Sequence, residues 1–178
     1  RELEKLEDEI RRELRRIEKE LKDYERELEE RADKDRRDIE DYRRRLEERV
    51  KEIEDRLRRD GSDEEELRRI REESRKTLEE LKRHLDKSRK ESEDTLRRLE
   101  KRLRDIEKRA EEIKRELDRA GVSEELRKIL EDALKRVREE VKRILDRNRE
   151  LLRESEELVR RVLKRNRDLL REVDERVR

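Results

Sequence analysis

The sequence contains no cysteine, proline, methionine, tryptophan or phenylalanine, and only two glycines, two tyrosines and one histidine. Each shortage excludes something. Without cysteine there is neither a disulfide framework nor a thiolate zinc site. One imidazole cannot supply a multi-histidine metal centre. Gly61 and Gly121 are too far apart to form a glycine-rich phosphate loop. Two tyrosines are a poor platform for base stacking, and 59 Lys and Arg against 58 Asp and Glu leave a net charge of +1. That balance lacks the clustered basic excess of a nucleic-acid binder, so no nucleic-acid partner is expected. No apolar run approaches the roughly 18–20 residues of a membrane span, and the opening RELEKLEDEI has no signal-peptide-like apolar core. No membrane partner is expected, and the sequence assigns no compartment.

What is present is charge: 66% of the 178 residues are Asp, Glu, Lys or Arg, and 27% are hydrophobic. Composition of that kind ordinarily marks a disordered chain, because too little apolar surface exists to offset the entropy of ordering. Here, however, the dominant residues are Glu, Lys, Arg and Leu, all strong helix formers. The apolar minority is also ordered along the chain.

Only two places interrupt the helical composition. In Arg59-Asp60-Gly61-Ser62-Asp63-Glu64-Glu65, Gly61 suits the left-handed position after a helix. Ser62 then reads as the next N-cap, with Glu65 completing a capping box. In the stretch from Leu117 to Glu125, Gly121 again ends a helix, Val122 can touch Leu117 as in a Schellman motif, and Ser123 caps the third segment. The predicted helices are therefore about 2–60, 63–120 and 124–178. Near-equal lengths and loops of two or three residues force antiparallel neighbours. The expectation is an all-α, antiparallel, up-down-up three-helix bundle forming a single domain over 1–178. At about 1.5 Å per residue each helix would be about 80–90 Å long.

In the first helix the inward positions are Leu3, Leu6, Ile10, Leu14, Ile17, Leu21, Tyr24, Leu28, Ala32, Asp35, Ile39, Tyr42, Leu46, Val50, Ile53 and Leu57. Their spacings of three and four close on an 18-residue repeat. Eighteen residues over five turns match about 3.6 per turn, the value of a straight helix, whereas a strict heptad would impose a left-handed supercoil. The second helix (Leu67 to Ala110) and the third (Leu126 to Val177) obey the same period, so long, nearly straight helices are expected.

Polar residues interrupt this stripe. At one level of an antiparallel pair, residue numbers add to a near constant. Tyr24 with Thr95, Tyr42 with Thr77 and Asp35 with His84 share the sum 119; Ser92 with Asn148 and Ser74 with Asn166 share 240. Three layers result: Tyr24/Ser92/Thr95/Asn148, its copy Tyr42/Ser74/Thr77/Asn166, and Asp35/His84/Ser88/Ser155 between them. Buried polar groups without partners cost about 1–3 kcal/mol each. These layers are therefore expected to form hydrogen-bond networks that join the three helices and set their register.

Asp35, His84 and Ser88 also have the residue types of a hydrolase triad. A triad needs an oxyanion hole, a pocket and an exposed nucleophile, and mid-helix backbone offers no free N–H groups. No catalytic residues and no enzymatic activity are expected. Asp35 and His84 alone are one carboxylate and one imidazole, short of a metal ligand set, so no metal and no cofactor are expected.

The third helix carries a second apolar row, Leu134, Leu145, Leu152, Leu163 and Leu170, which also repeats every 18 residues. One reading has these leucines covering a groove within the chain. The other makes them a docking flank for a second copy or a helical partner, since wide apolar faces belong to larger bundles. No partner is required for the fold.

Taken over the whole chain, the 18-residue period, the DGS and GVS loops, the Glu/Lys/Arg surface and the duplicated Tyr/Ser/Thr/Asn layers resemble de novo designed helical bundles. The resemblance implies a stable structural scaffold or an assembly component without natural biochemical activity. A spectrin-like or coiled-coil rod is the alternative, although such repeats are shorter and carry core tryptophan, which this chain lacks.

Overall fold

The computed structural model describes residues 2–59, 64–121 and 124–177, with side chains described as far as residue 175. It contains three helices, α1 (Glu2–Arg58), α2 (Glu64–Arg119) and α3 (Glu124–Val177), all packing against one another. Each begins with glutamates, namely Glu2 and Glu4, Glu64 to Glu66, and Glu124 with Glu125. Arginines end α1 and α2. Both signs complement the helix dipole.

α2 stops where the sequence places a glycine. Gly121 has φ 64°, and its N–H reaches the Asp118 carbonyl at 3.4 Å, the inner bond of a Schellman ending. Leu117, which anchors that turn, is fully buried. The capping roles expected of Gly61, Ser62, Val122 and Ser123 lie outside the described residues.

Two compact units make up the chain: Arg1–Glu30 with Ser92–Glu150, and Arg31–Glu91 with Leu151–Arg178. In the first, Ile10, Ala110, Ile113, Leu117, Leu126 and Leu130 form a core cluster with Leu6, Ile129 and Leu134 packed against it. In the second, one cluster comprises Ile39, Leu46, Leu81, Val159 and Val162, and another Val50, Ile53, Ile70 and Val173. Burial follows the 18-residue period, with Leu28 and Leu46, Leu81 and Leu99, and Val141 and Val159 all at 3% exposure or less. The stripe thins at the start of α1, where Leu3 is exposed and Leu6, Leu14 and Ile17 are only half-buried.

Ion pairs across the helices fix the directions. In the first unit, Glu20–Arg102 and Glu13–Arg109 join α1 to α2; in the second, Arg49–Glu73 and Arg56–Glu66 do. All four share a residue-number sum of 122, the signature of antiparallel helices. Between α2 and α3 the sum is 245 for Glu107–Arg138 in the first unit and Arg89–Glu156 in the second. α1 and α3 run parallel: Glu18–Arg136, Glu25–Arg143 and Glu29–Arg147 of the first unit keep a constant difference of 118. The fold is thus an all-α, antiparallel, up-down-up three-helix bundle. Exposed pairs of this kind contribute about 0–1 kcal/mol each, so the apolar clusters carry the stability.

Candidate functional site

A buried interhelical polar bond of the first unit lies between α2 and α3. Asn148, 3% exposed, donates its amide to the Ser92 carbonyl at 3.1 Å and to the Ser92 hydroxyl at 3.0 Å. A helix-interior carbonyl already accepts from its own helix. Asn148 therefore uses its second lone pair and adds a bond without breaking one. Thr95 is buried beside Ser92 on α2, while Tyr24 on α1 is half-buried.

The copy in the second unit is built differently. Ser74 and Asn166 are buried, yet the Ser74 hydroxyl and the Asn166 carbonyl oxygen have no hydrogen-bond partner among the described residues. Thr77 turns its hydroxyl back onto its own helix, donating to the Glu73 carbonyl at 3.0 Å. Tyr42 stays half-buried, with the Arg45 guanidinium 4.5 Å above its ring and the His84 ring 6.0 Å away at a 47° tilt. Its ring thereby leans towards the middle layer.

That layer, also in the second unit, is the densest grouping of chemistry-bearing side chains. Asp35 of α1 faces His84 and Ser88 of α2, which lie one turn apart. His84 Nε2 is 3.5 Å from Asp35 Oδ1, and both side chains are under 15% exposed. The Ser88 hydroxyl donates to Asp35 Oδ2 at 3.2 Å. His84 Nε2 is buried and makes no aligned hydrogen bond among the described residues. Ser155 of α3 is buried.

Electrostatically the layer turns on Asp35. Burial pushes its carboxyl above the usual carboxylate range, against the lowering effects of the facing His84 and the Ser88 hydrogen bond. Further out, Glu91 raises it and Arg31 lowers it. The connectivity is Ser–Asp–His, with the carboxylate in the middle. A nucleophilic serine needs the imidazole in the middle, receiving the hydroxyl proton. Here the Ser88 proton points at Asp35 instead.

One member of the cluster stands outside the apolar stripe. Asp38 lies one turn from Asp35 on α1, and a carboxylate oxygen from each aspartate and a ring nitrogen of His84 all fall within 4.8 Å of one another. The stripe positions alone count one carboxylate and one imidazole. The missing third group was visible only as a second aspartate at i,i+3, a spacing that puts both on one helix face.

The leucine row of α3 is half-buried throughout. Leu134 packs on the core of the first unit, and Leu163 and Leu170 on the cores of the second. Leu163 and Leu170 also border an open groove with Leu78 and Asn166. The first unit holds a separate apolar cavity of about 200 Å³, lined by Ile10, Ile106, Ala110, Ala133 and Val137 among others. No described helix is long and apolar enough to cross a membrane. Compared with known proteins, the chain matches no family model, no curated protein and no solved structure.

Proposed function

We propose that the chain is a structural scaffold of the designed helical-bundle type: three long helices whose apolar clusters supply stability and whose few buried polar side chains select the register. The observation that carries this reading is the buried bond from the Asn148 amide to both acceptors of Ser92. It joins α2 to α3, and sliding one helix by a turn would strand the amide in an apolar environment at a cost of about 1–3 kcal/mol. Surface ion pairs impose no comparable penalty, because water replaces a lost partner.

Replacing both partners, Ser92 by alanine and Asn148 by leucine, tests this role. Apolar replacement of a whole buried polar pair is often neutral or stabilising, so the denaturation midpoint should hold or rise, whereas either single replacement breaks the pair and lowers it. Structural uniqueness should fall, seen as multiplied or broadened amide resonances in α2 and α3 around Ser92. A variant with a single sharp spectrum and unchanged amide-exchange protection would remove register selection from the account.

A second reading, an assembly component docking through α3, draws on the groove that Leu163 and Leu170 border with Leu78. Against it stands the half-burial of all five flank leucines. Light scattering at high protein concentration separates the two: the scaffold reading expects a monomer mass, the docking reading a multiple of it.

A further inference from the structure

We propose that Asp35, Asp38 and His84 form a three-ligand site for a divalent first-row transition ion, zinc being the type case. Three observations converge on it, and the site goes beyond the scaffold reading.

The first is spacing. His84 Nε2 and Asp35 Oδ1 are 3.5 Å apart. Two donor atoms bound to one tetrahedral zinc at about 2.0–2.1 Å lie about 3.4 Å from each other. This pair already stands at that separation, too long for a well-aligned hydrogen bond and right for a shared ion. A carboxylate oxygen of Asp38 lies within 4.8 Å of donors of the other two, so closing the set requires Asp38 to approach the pair.

The second is the state of the donors. His84 Nε2 is buried without a hydrogen-bond partner among the described residues. A lone pair or N–H in that position is costly unless something occupies the space in front of it. Meanwhile Ser88 holds Asp35 Oδ2 at 3.2 Å, which orients the carboxylate with Oδ1 on the His84 side. An outer hydrogen bond that fixes a ligating carboxylate is the usual support of a metal site.

The third is charge and ligand class. Two carboxylates and a neutral imidazole around a dication sum to zero, so the ion would relieve a desolvated aspartate without adding net buried charge. Imidazole selects against calcium and magnesium, which prefer all-oxygen shells, and towards zinc, cobalt or nickel. With three protein donors, a fourth position is left for water.

The test uses the whole chain and cobalt(II) or zinc(II) alone. His84 is the single histidine, so its ring resonances report on one site without assignment ambiguity. Titration should saturate at one equivalent, move or broaden those resonances, and with cobalt give the visible bands of a low-coordinate ion that zinc then displaces. Asp38→Asn and His84→Gln should each weaken binding at least tenfold, and Ser88→Ala should weaken it by a smaller factor. Asp41→Asn, an exposed carboxylate one turn beyond Asp38, should leave it unchanged. Circular dichroism of every variant checks that the helices persist. Binding that does not saturate at one equivalent, leaves the His84 ring unaffected, or falls equally in Asp41→Asn and Asp38→Asn would overturn the site and reduce it to diffuse attraction by surface acids.

Discussion

Ser74 and Ser92 occupy equivalent positions of the 18-residue repeat, yet Ser74→Ala should be more stable than Ser92→Ala. Ser74 is 1% exposed, and its hydroxyl has no partner among the described residues. An unsatisfied buried hydroxyl costs about 1–3 kcal/mol, so Ser74→Ala removes a penalty. Ser92, in contrast, accepts from the Asn148 amide through its hydroxyl at 3.0 Å. Ser92→Ala forfeits a bond worth about 0.5–1.5 kcal/mol, although the amide keeps the Ser92 carbonyl at 3.1 Å. Alanine also favours helix over serine by a few tenths of a kcal/mol, a term common to both variants that cancels when they are compared. The two should therefore differ by at least about 1.5 kcal/mol, Ser74→Ala being the more stable. For a guanidinium slope of about 4 kcal/mol/M, the midpoints separate by at least about 0.4 M. Destabilisation by Ser74→Ala of about 1 kcal/mol or more, or a Ser92→Ala as stable as Ser74→Ala, would refute the assignment of bonded and unbonded hydroxyls.

Three further outcomes are expected. Ala133→Leu should fill part of the 200 Å³ apolar cavity of the first unit. Three added carbons at about 0.8 kcal/mol each, less the rotamer entropy of leucine, give a gain of about 1–2 kcal/mol in chemical denaturation. A loss would mean that the cavity cannot accept the branch. Gly121→Ala should cost about 1 kcal/mol, because the φ of 64° strains any residue with a Cβ even though nothing stands within 4 Å of the added atom. Glu25 has its pKa held below the ordinary 4.5, first by hydrogen bonding from Arg143 at 2.7 and 2.8 Å. A folded-state pKa below the unfolded one means that the stabilisation is present above pH 4.5 and is lost as pH falls through the folded value. In a double-mutant cycle with Glu25→Gln and Arg143→Gln, the coupling should be under about 1 kcal/mol at pH 7, since both groups are solvent-screened, and should vanish near pH 2.

The helical framework was legible because it rests on signals that are local and redundant. Gly121 can be read as a helix end from the residue type alone, since few residues tolerate its positive φ, and the apolar stripe repeats often enough to define three buried faces. The interior of α1 shows where this weakens. Leu14 and Ile17 keep the period yet are only half-buried, beside a cavity bounded by Ala110 and Ala133. Periodicity states which way a side chain points; how much faces it depends on the volumes of residues on the other two helices. Asp38 eluded the same reading because charged residues off the stripe were assigned to water, where most of them are. What sets it apart is its position one turn from Asp35, which brings a second carboxylate to the His84 ring although Asp38 lies off the apolar stripe.

The polar layers carry this further. Ser92 with Asn148 and Ser74 with Asn166 have the same residue types and the same level sum, and a reading by type and level makes them equivalent. They bond differently because each hydroxyl chooses among acceptors at short range, its own helix's carbonyls included. Thr77 takes the Glu73 carbonyl, while the Tyr42 ring packs with Arg45 and His84. Within the second unit the Asp35/His84 layer thus engages a side chain of the neighbouring polar layer. Level and type decide which polar groups are brought within reach, whereas the competition among acceptors decides which of them pair.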